Sequence, residues 1–153
     1  MKYLSSIALL LLQTISFSQE SSLSTNKIQI GEAVVLTYRI TLATEAAFRH
    51  IPFGTTLPAK KKSASGTLAQ ETSTSIEQLK SFNDTVLLKG KTKEWIGTYQ
   101  LTAWDEGSFV IEGAKIQVGD SMILFPAVTL TAQLVATKKD LDLYDIREQF
   151  ADL

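Results

Sequence analysis

Apolar and polar residues alternate with a period of two over most of the chain. The clearest stretch is Trp95 to Val118, WIGTYQLTAWDEGSFVIEGAKIQV. Trp95, Gly97, Tyr99, Leu101 and Ala103 share one face, Asp105-Glu106-Gly107 breaks the run, and Phe109 and Ile111 resume it. A second break at Glu112-Gly113 leads into Lys115 to Val118. This pattern predicts strands of an antiparallel sheet with one buried face, and a central hairpin that turns at Asp105 to Gly107. Ala33 to Leu42, AVVLTYRITL, is the longest clean strand, with Val34, Leu36, Tyr38, Ile40 and Leu42 facing one way. Its β-branched content favours strand over helix. Val118 to Met122 reads as a Gly-Asp turn, and Val128, Leu130, Ala132 and Leu134 alternate as the last strand of the domain.

The remaining stretches are less regular. Gln19 to Asn26 fits a lead-in or a short edge strand, and Lys27 to Ile30 alternates before a turn at Gly31-Glu32. Phe48 to Phe53 reads as a short strand stopped by Pro52. Gly54 to Gln70 is the most loop-like part, with Lys60-Lys61-Lys62 in it and room for a short strand near Thr67 to Ala69. Thr72 to Ser81 fits helix or strand equally, Asp84 to Leu88 fits a strand, and Lys89 to Lys93 fits a polar turn. From Lys138 the period changes: Leu143, Ile146, Phe150 and Leu153 recur at helical spacing with acids between them. The expected organisation is therefore an all-β, immunoglobulin-like antiparallel sandwich over residues 19–136, with an acidic amphipathic tail, helical or linker, over 137–153.

The start of the chain has a different character. Met1-Lys2 is basic, Ile7 to Leu12 is an unbroken apolar run, and Ser16 and Ser18 are small residues placed at −3 and −1 before Gln19. This is the form of a secretory signal peptide over residues 1–18, cleaved between Ser18 and Gln19. The apolar run is too short for a permanent span. The chain has no cysteine, which excludes disulfides, a cysteine nucleophile, thiolate metal sites and a lipoprotein anchor. An exported chain of this kind points to the bacterial envelope, to the periplasm or the periplasmic face of the inner membrane. A formal net charge of −1 gives no positive field for nucleic acid.

Candidate chemistry is sparse. His50 is the only histidine, no glycine-flanked serine accompanies it, and a surface or edge position is expected for it. Ser24-Thr25-Asn26-Lys27 matches S-x-x-K by spacing but precedes a strand, without the serine, asparagine and lysine elements that chemistry would need. Asp140, Asp142 and Asp145 cluster without the glycine and glutamate of a calcium loop, so a solvated acidic face is expected. Asn83-Asp84-Thr85 matches the N-glycosylation pattern, which carries no weight in a bacterium. No catalytic, cofactor-binding or metal-binding residue is assigned, and the chain is not expected to be an enzyme. Two basic turns, Lys60-Lys61-Lys62 and Lys89, Lys91, Lys93, read as guards against sheet aggregation, with contact to an acidic partner as the alternative. Trp104 is out of phase with Tyr99 and Leu101, so it lies opposite the core face beside Asp105 and Glu106; it is either an interface anchor or packed under a neighbouring loop. The candidate interaction surface is thus Trp104, Asp105, Glu106, Lys60, Lys61 and Lys62.

Three stretches, KIQIGEAVVLTYRI, TYQLTAWDEGSFVIEGAKIQVGDS and PAVTLTAQLV, resemble the BatD-like aerotolerance proteins of Bacteroidetes and other bacteria. They cover about half of the chain that follows the signal peptide. The resemblance implies an export-directed protein with immunoglobulin-like domains, a membrane anchor in relatives, and von Willebrand A-type Bat proteins as partners in the envelope. It carries over no catalytic residue. The chain departs from the family in having one β-domain and no anchor, as a short or truncated relative would. The resulting expectation is a non-catalytic protein-interaction module of the envelope; the alternative is a carbohydrate- or surface-binding sandwich, suggested by Trp104 and the loop over 54–70.

Overall fold

In a computed structural model, residues 18–53 and 57–135 are described. They contain strands and turns and no helix. The strands are β1 (Gln19–Leu23), β2 (Lys27–Gln29), β3 (Val34–Ala43), β4 (Phe48–Ile51), β5 (Ala59–Lys62), β6 (Ile76–Gln78), β7 (Asn83–Lys89), β8 (Thr92–Ala103), β9 (Gly107–Ile111), β10 (Lys115–Val118), β11 (Ser121–Leu124) and β12 (Val128–Gln133). The expected signal peptide, apart from Ser18, and the expected tail with Asp140, Asp142 and Asp145 lie outside the described residues.

The protein is an all-β sandwich. One sheet has the order β1-β3-β8-β6, with β7 also on β8; the others are β11-β10-β4 and β2-β12-β9-β5. The two smaller sheets act as one layer. β4 and β11 flank β10 just as β5 and β12 flank β9, so each strand path continues across a break. The break falls at residues 112–114 and 125–127, where Phe125 N–H donates to Ala114 O at 2.9 Å. Gly113 makes this closeness possible, because a Cβ there would overlap the Phe125 carbonyl. All pairs are antiparallel except β2 with β12, which run parallel.

One apolar core lies between the layers. β3 contributes Val34, Leu36, Tyr38, Ile40 and Leu42, and β8 contributes Trp95, Tyr99, Leu101 and Ala103, all buried and all on the face that the alternation predicts. Phe109, Ile111, Ile116, Phe125, Leu130 and Ala132 face them from the other layer. Aromatic contacts join the layers: Tyr38 meets Phe125 with ring centroids 5.1 Å apart, and Trp95 meets Phe48 at 6.4 Å. With no cysteine in the chain, this packing takes the place of a disulfide.

The central hairpin does not form. β8 and β9 lie in different sheets, and Asp105-Glu106-Gly107 crosses from one layer to the other. The reason is that both edges of β8 are occupied, by β3 on one side and by β6 and β7 on the other. Alternation records which face of a strand is buried, and that reading holds; it does not record which strand lies alongside. The expected turn at Gly119-Asp120 does form, joining β10 to β11 with Val118 opposite Ser121. Lys60-Lys61-Lys62 is strand β5 rather than a turn, and Thr72 to Ser81 contains strand β6 and no helix. Lys89 and Lys93 lie in β7 and β8, so the second basic turn shortens to Gly90-Lys91.

Candidate interaction corner

Trp104 sits where the chain leaves β8. The β2–β3 turn builds the seat beneath it. Gly31 has φ of 85°, a conformation that suits glycine, and a Cβ there would lie 3.4 Å from the Trp104 ring. The turn is tied to β8 by Gly31 N–H to Ala103 O at 2.9 Å and by Thr102 Oγ1 to Glu32 O at 2.8 Å. Trp104 N–H donates to Ser75 O at 2.9 Å, and its Nε1–H donates to Glu77 of β6. The indole is 55% exposed despite these braces. One face of the ring thus rests on a neighbouring turn, as one of the two readings expected, and the side chain keeps an open side to solvent.

The sequence candidates around it separate into two groups. Lys61 lies opposite Phe109 and so begins on the core side of β5. Its stem passes over that ring, with the ammonium 5.9 Å from the centroid, and its Nζ reaches Asp105 Oδ2 at 3.3 Å. Asp105 Oδ1 also accepts from Glu106 N–H at 2.9 Å, which fixes the corner locally. Trp104, Asp105, Glu106 and Lys61 therefore share one corner of the sandwich. Lys60 faces the other way and meets Glu112 at 3.9 Å. Lys62 lines a shallow depression with Ser63, Ser65, Gly107 and Ser108.

His50 lies on the edge strand β4, as expected. It is partly buried, with its ring stacked on Phe82 at 4.4 Å and on Trp95 at 5.3 Å. Tyr99 Oη lies 3.4 Å from its Nε2. Burial pushes the Tyr99 hydroxyl up to about 12, so it stays protonated beside the imidazole. Burial also lowers the His50 pKa, against an opposing pull from Asp84. The group is an imidazole in an aromatic stack, without a serine among its hydrogen-bond partners. Phe82 was missed at the sequence level because it stands alone in an irregular stretch. Gly97 leaves room for it, since a Cβ there would lie 2.6 Å from Trp95 and 2.7 Å from Phe82.

Among the described residues, no group of three or more histidine or acidic side chains could hold a metal ion. Among the described residues, two depressions are lined mainly by the turn that follows β5, and a third by residues that end β4 and precede β5 together with Glu112, Gly113 and Lys115. The chain matches no protein-family model and no curated protein.

Proposed function

We propose that the protein is a non-catalytic interaction module of the bacterial envelope, of the BatD-like kind, and that Trp104 anchors its contact with an envelope protein of the von Willebrand A-type Bat class. The observation that carries this reading is the braced and exposed indole. An aromatic side chain held before binding loses little conformational entropy when a partner covers it. The two-layer arrangement, with the five-stranded sheet of β1, β3, β8, β6 and β7 against β2-β12-β9-β5 and its continuation β11-β10-β4, supports an immunoglobulin-like sandwich. Export is supported by the leader pattern together with the first strand, which begins at Gln19, the residue after the expected cleavage point.

The test is cross-linking and co-purification of the tagged protein from bacterial envelopes, alongside Trp104→Ala. The expected result is an envelope partner recovered with the native protein and lost with the variant, while the thermal melt stays in place. Recovery of no envelope protein, or recovery that ignores Trp104→Ala, overturns the proposal. A carbohydrate ligand is the second reading, favoured by the Glu77 carboxylate at Nε1 of the open indole. Binding in a glycan screen that Trp104→Ala abolishes would establish it instead.

A further inference from the structure

Strand β7 is the most exposed strand of the sandwich. All seven of its residues are exposed, including Val86 and Leu87 at 43% each and Leu88 at 73%. Its ladder to β8 occupies one edge from Asn83 to Lys89. Among the described residues, no main-chain hydrogen bond reaches it from the other side. It contains no proline, and its pairing with β8 is unbroken over its full length. Its only charges are Asp84 near one end and Lys89 at the other. Proteins rarely leave a long, regular, apolar edge of this kind uncovered.

The sequence of the strand says what fits it. Two copies of β7 can pair antiparallel about a two-fold axis normal to the sheet, which keeps inward faces inward and requires partners of equal parity in the chain. Centred on Leu87, that pairing places Leu87 against its own mate and Val86 against Leu88 of the second copy, twice. Thr85 then meets Lys89, and Asn83 and Asp84 lie alongside the Gly90-Lys91 turn of the second copy. Every exposed apolar residue of the strand meets an apolar one, and the acidic start of each strand runs beside the basic end of the other. Val86 and Leu88 belong to the inward face, because Val86 is opposite Trp95 and Leu88 opposite Lys93. A second copy would therefore extend the sandwich sideways and cover its open flank. We propose that the chain forms a two-fold dimer by antiparallel β7–β7 pairing in this register. The partner is a second copy, because the seven-residue strand is complementary to itself in both apolar pattern and charge.

The native chain has no cysteine, so single-cysteine variants read the register directly. In the proposed pairing Leu87→Cys brings two thiols face to face, at the spacing a disulfide requires. Met122, 54% exposed on β11, provides the control Met122→Cys. Under mild oxidation the expected result is a covalent dimer from Leu87→Cys, formed much faster than from Met122→Cys or Thr85→Cys. Light scattering of the native protein should show the mass doubling as concentration rises. Leu87→Lys should remain monomeric with an unchanged far-ultraviolet spectrum, since its new ammonium can meet Glu94 across the ladder. A native protein that stays monomeric at all concentrations overturns the proposal, as does equal cross-linking of the three cysteine variants. Binding of an extended segment from another protein at β7 without self-association overturns it as well.

Discussion

β5 and β7 are both edge strands, and they are finished in opposite ways. β5 has lysine at three of its four positions. Its outer side is also covered: the following segment folds back, with Ala69 N–H on Lys61 O at 2.9 Å and Ser73 N–H on Ala59 O at 2.6 Å. Lys61 starts toward the core and emerges to meet Asp105, an inward charge that makes addition of another strand costly. β7 carries such devices only at its ends, Asp84 turned inward under Trp95 Nε1 and Lys89 at the other end, and among the described residues it has no main-chain cover. Valine and leucine occupy its centre, and its outer main-chain groups have no main-chain partner among the described residues. The pair shows that the sandwich can guard an edge and leaves one unguarded. A bare apolar edge in a molecule that guards β5 reads as a surface kept for pairing.

The largest effects should come from the core that both edges share. Phe109→Ala removes the ring beneath Lys61, and Tyr99→Ala removes the ring that packs against Phe82 just before β7. Both side chains are buried, and each substitution should cost about 3–5 kcal/mol. Melts of the two variants should fall together, because one core serves both layers. Melts unchanged by either substitution would break the account of which faces are buried.

A smaller effect separates the two sides. Gly97→Ala places a methyl group against Trp95 and Phe82, beside Asp84 in the β7 ladder. Overpacking of this kind costs about 1–3 kcal/mol. The loss should be accompanied by faster hydrogen exchange across β7 while β5 keeps its protection. Equal loosening of both strands would show that the edges are not independent.

The pH dependence is smaller again and belongs to the β7 side. Burial lowers the folded pKa of His50 below its ordinary value of about 6.5. The unfolded chain then binds the proton first, so stability is full above that value and is lost as pH falls below it toward the folded pKa. Glu94 adds a second, more acidic window. Its carboxyl is held down first by Lys89 and then by Arg39, so its contribution is present above the ordinary carboxylate range and is lost as pH falls. Thermal melts across pH 7 to 5 should show a decline that His50→Phe flattens; an unchanged slope in the variant would place the imidazole outside the stack.

The smallest effect is on the guarded edge. Lys61→Met breaks the ion pair with Asp105 but keeps the apolar stem over Phe109. An exposed pair of this kind contributes at most about 1 kcal/mol. The melt should barely move, while the propensity to associate through β5 should rise. If solubility and association stay the same, the main-chain cover over β5 guards the edge by itself.

Much of this fold is legible in the sequence, for a physical reason. A strand with one buried face must alternate, so Val34 to Leu42 and Trp95 to Ala103 announce both their conformation and their inner face. Trp104 is legible in the same way, because it falls out of phase at the end of β8. Pairing is not legible. The break at Asp105 to Gly107 looks the same whether the chain returns beside itself or crosses to the other layer, and only the occupied edges of β8 decide. The three lysines of β5 read as a turn because their composition is that of a loop, although one of them begins on the core side. The stack of His50 on Phe82 is invisible as well, since it joins isolated residues far apart in the chain. The bare edge of β7 could be read only after its neighbours were known.

The contrast between the two edges is tested most directly by hydrogen exchange measured at β5 and β7 over a range of protein concentrations. The amides of Ala59, Lys60 and Lys62 should be protected at every concentration. The outward-facing amides of Asn83 to Lys89 should exchange freely when the protein is dilute and become protected as it is concentrated. Protection of β7 that equals that of β5 in dilute solution, or that never changes with concentration, would contradict the account.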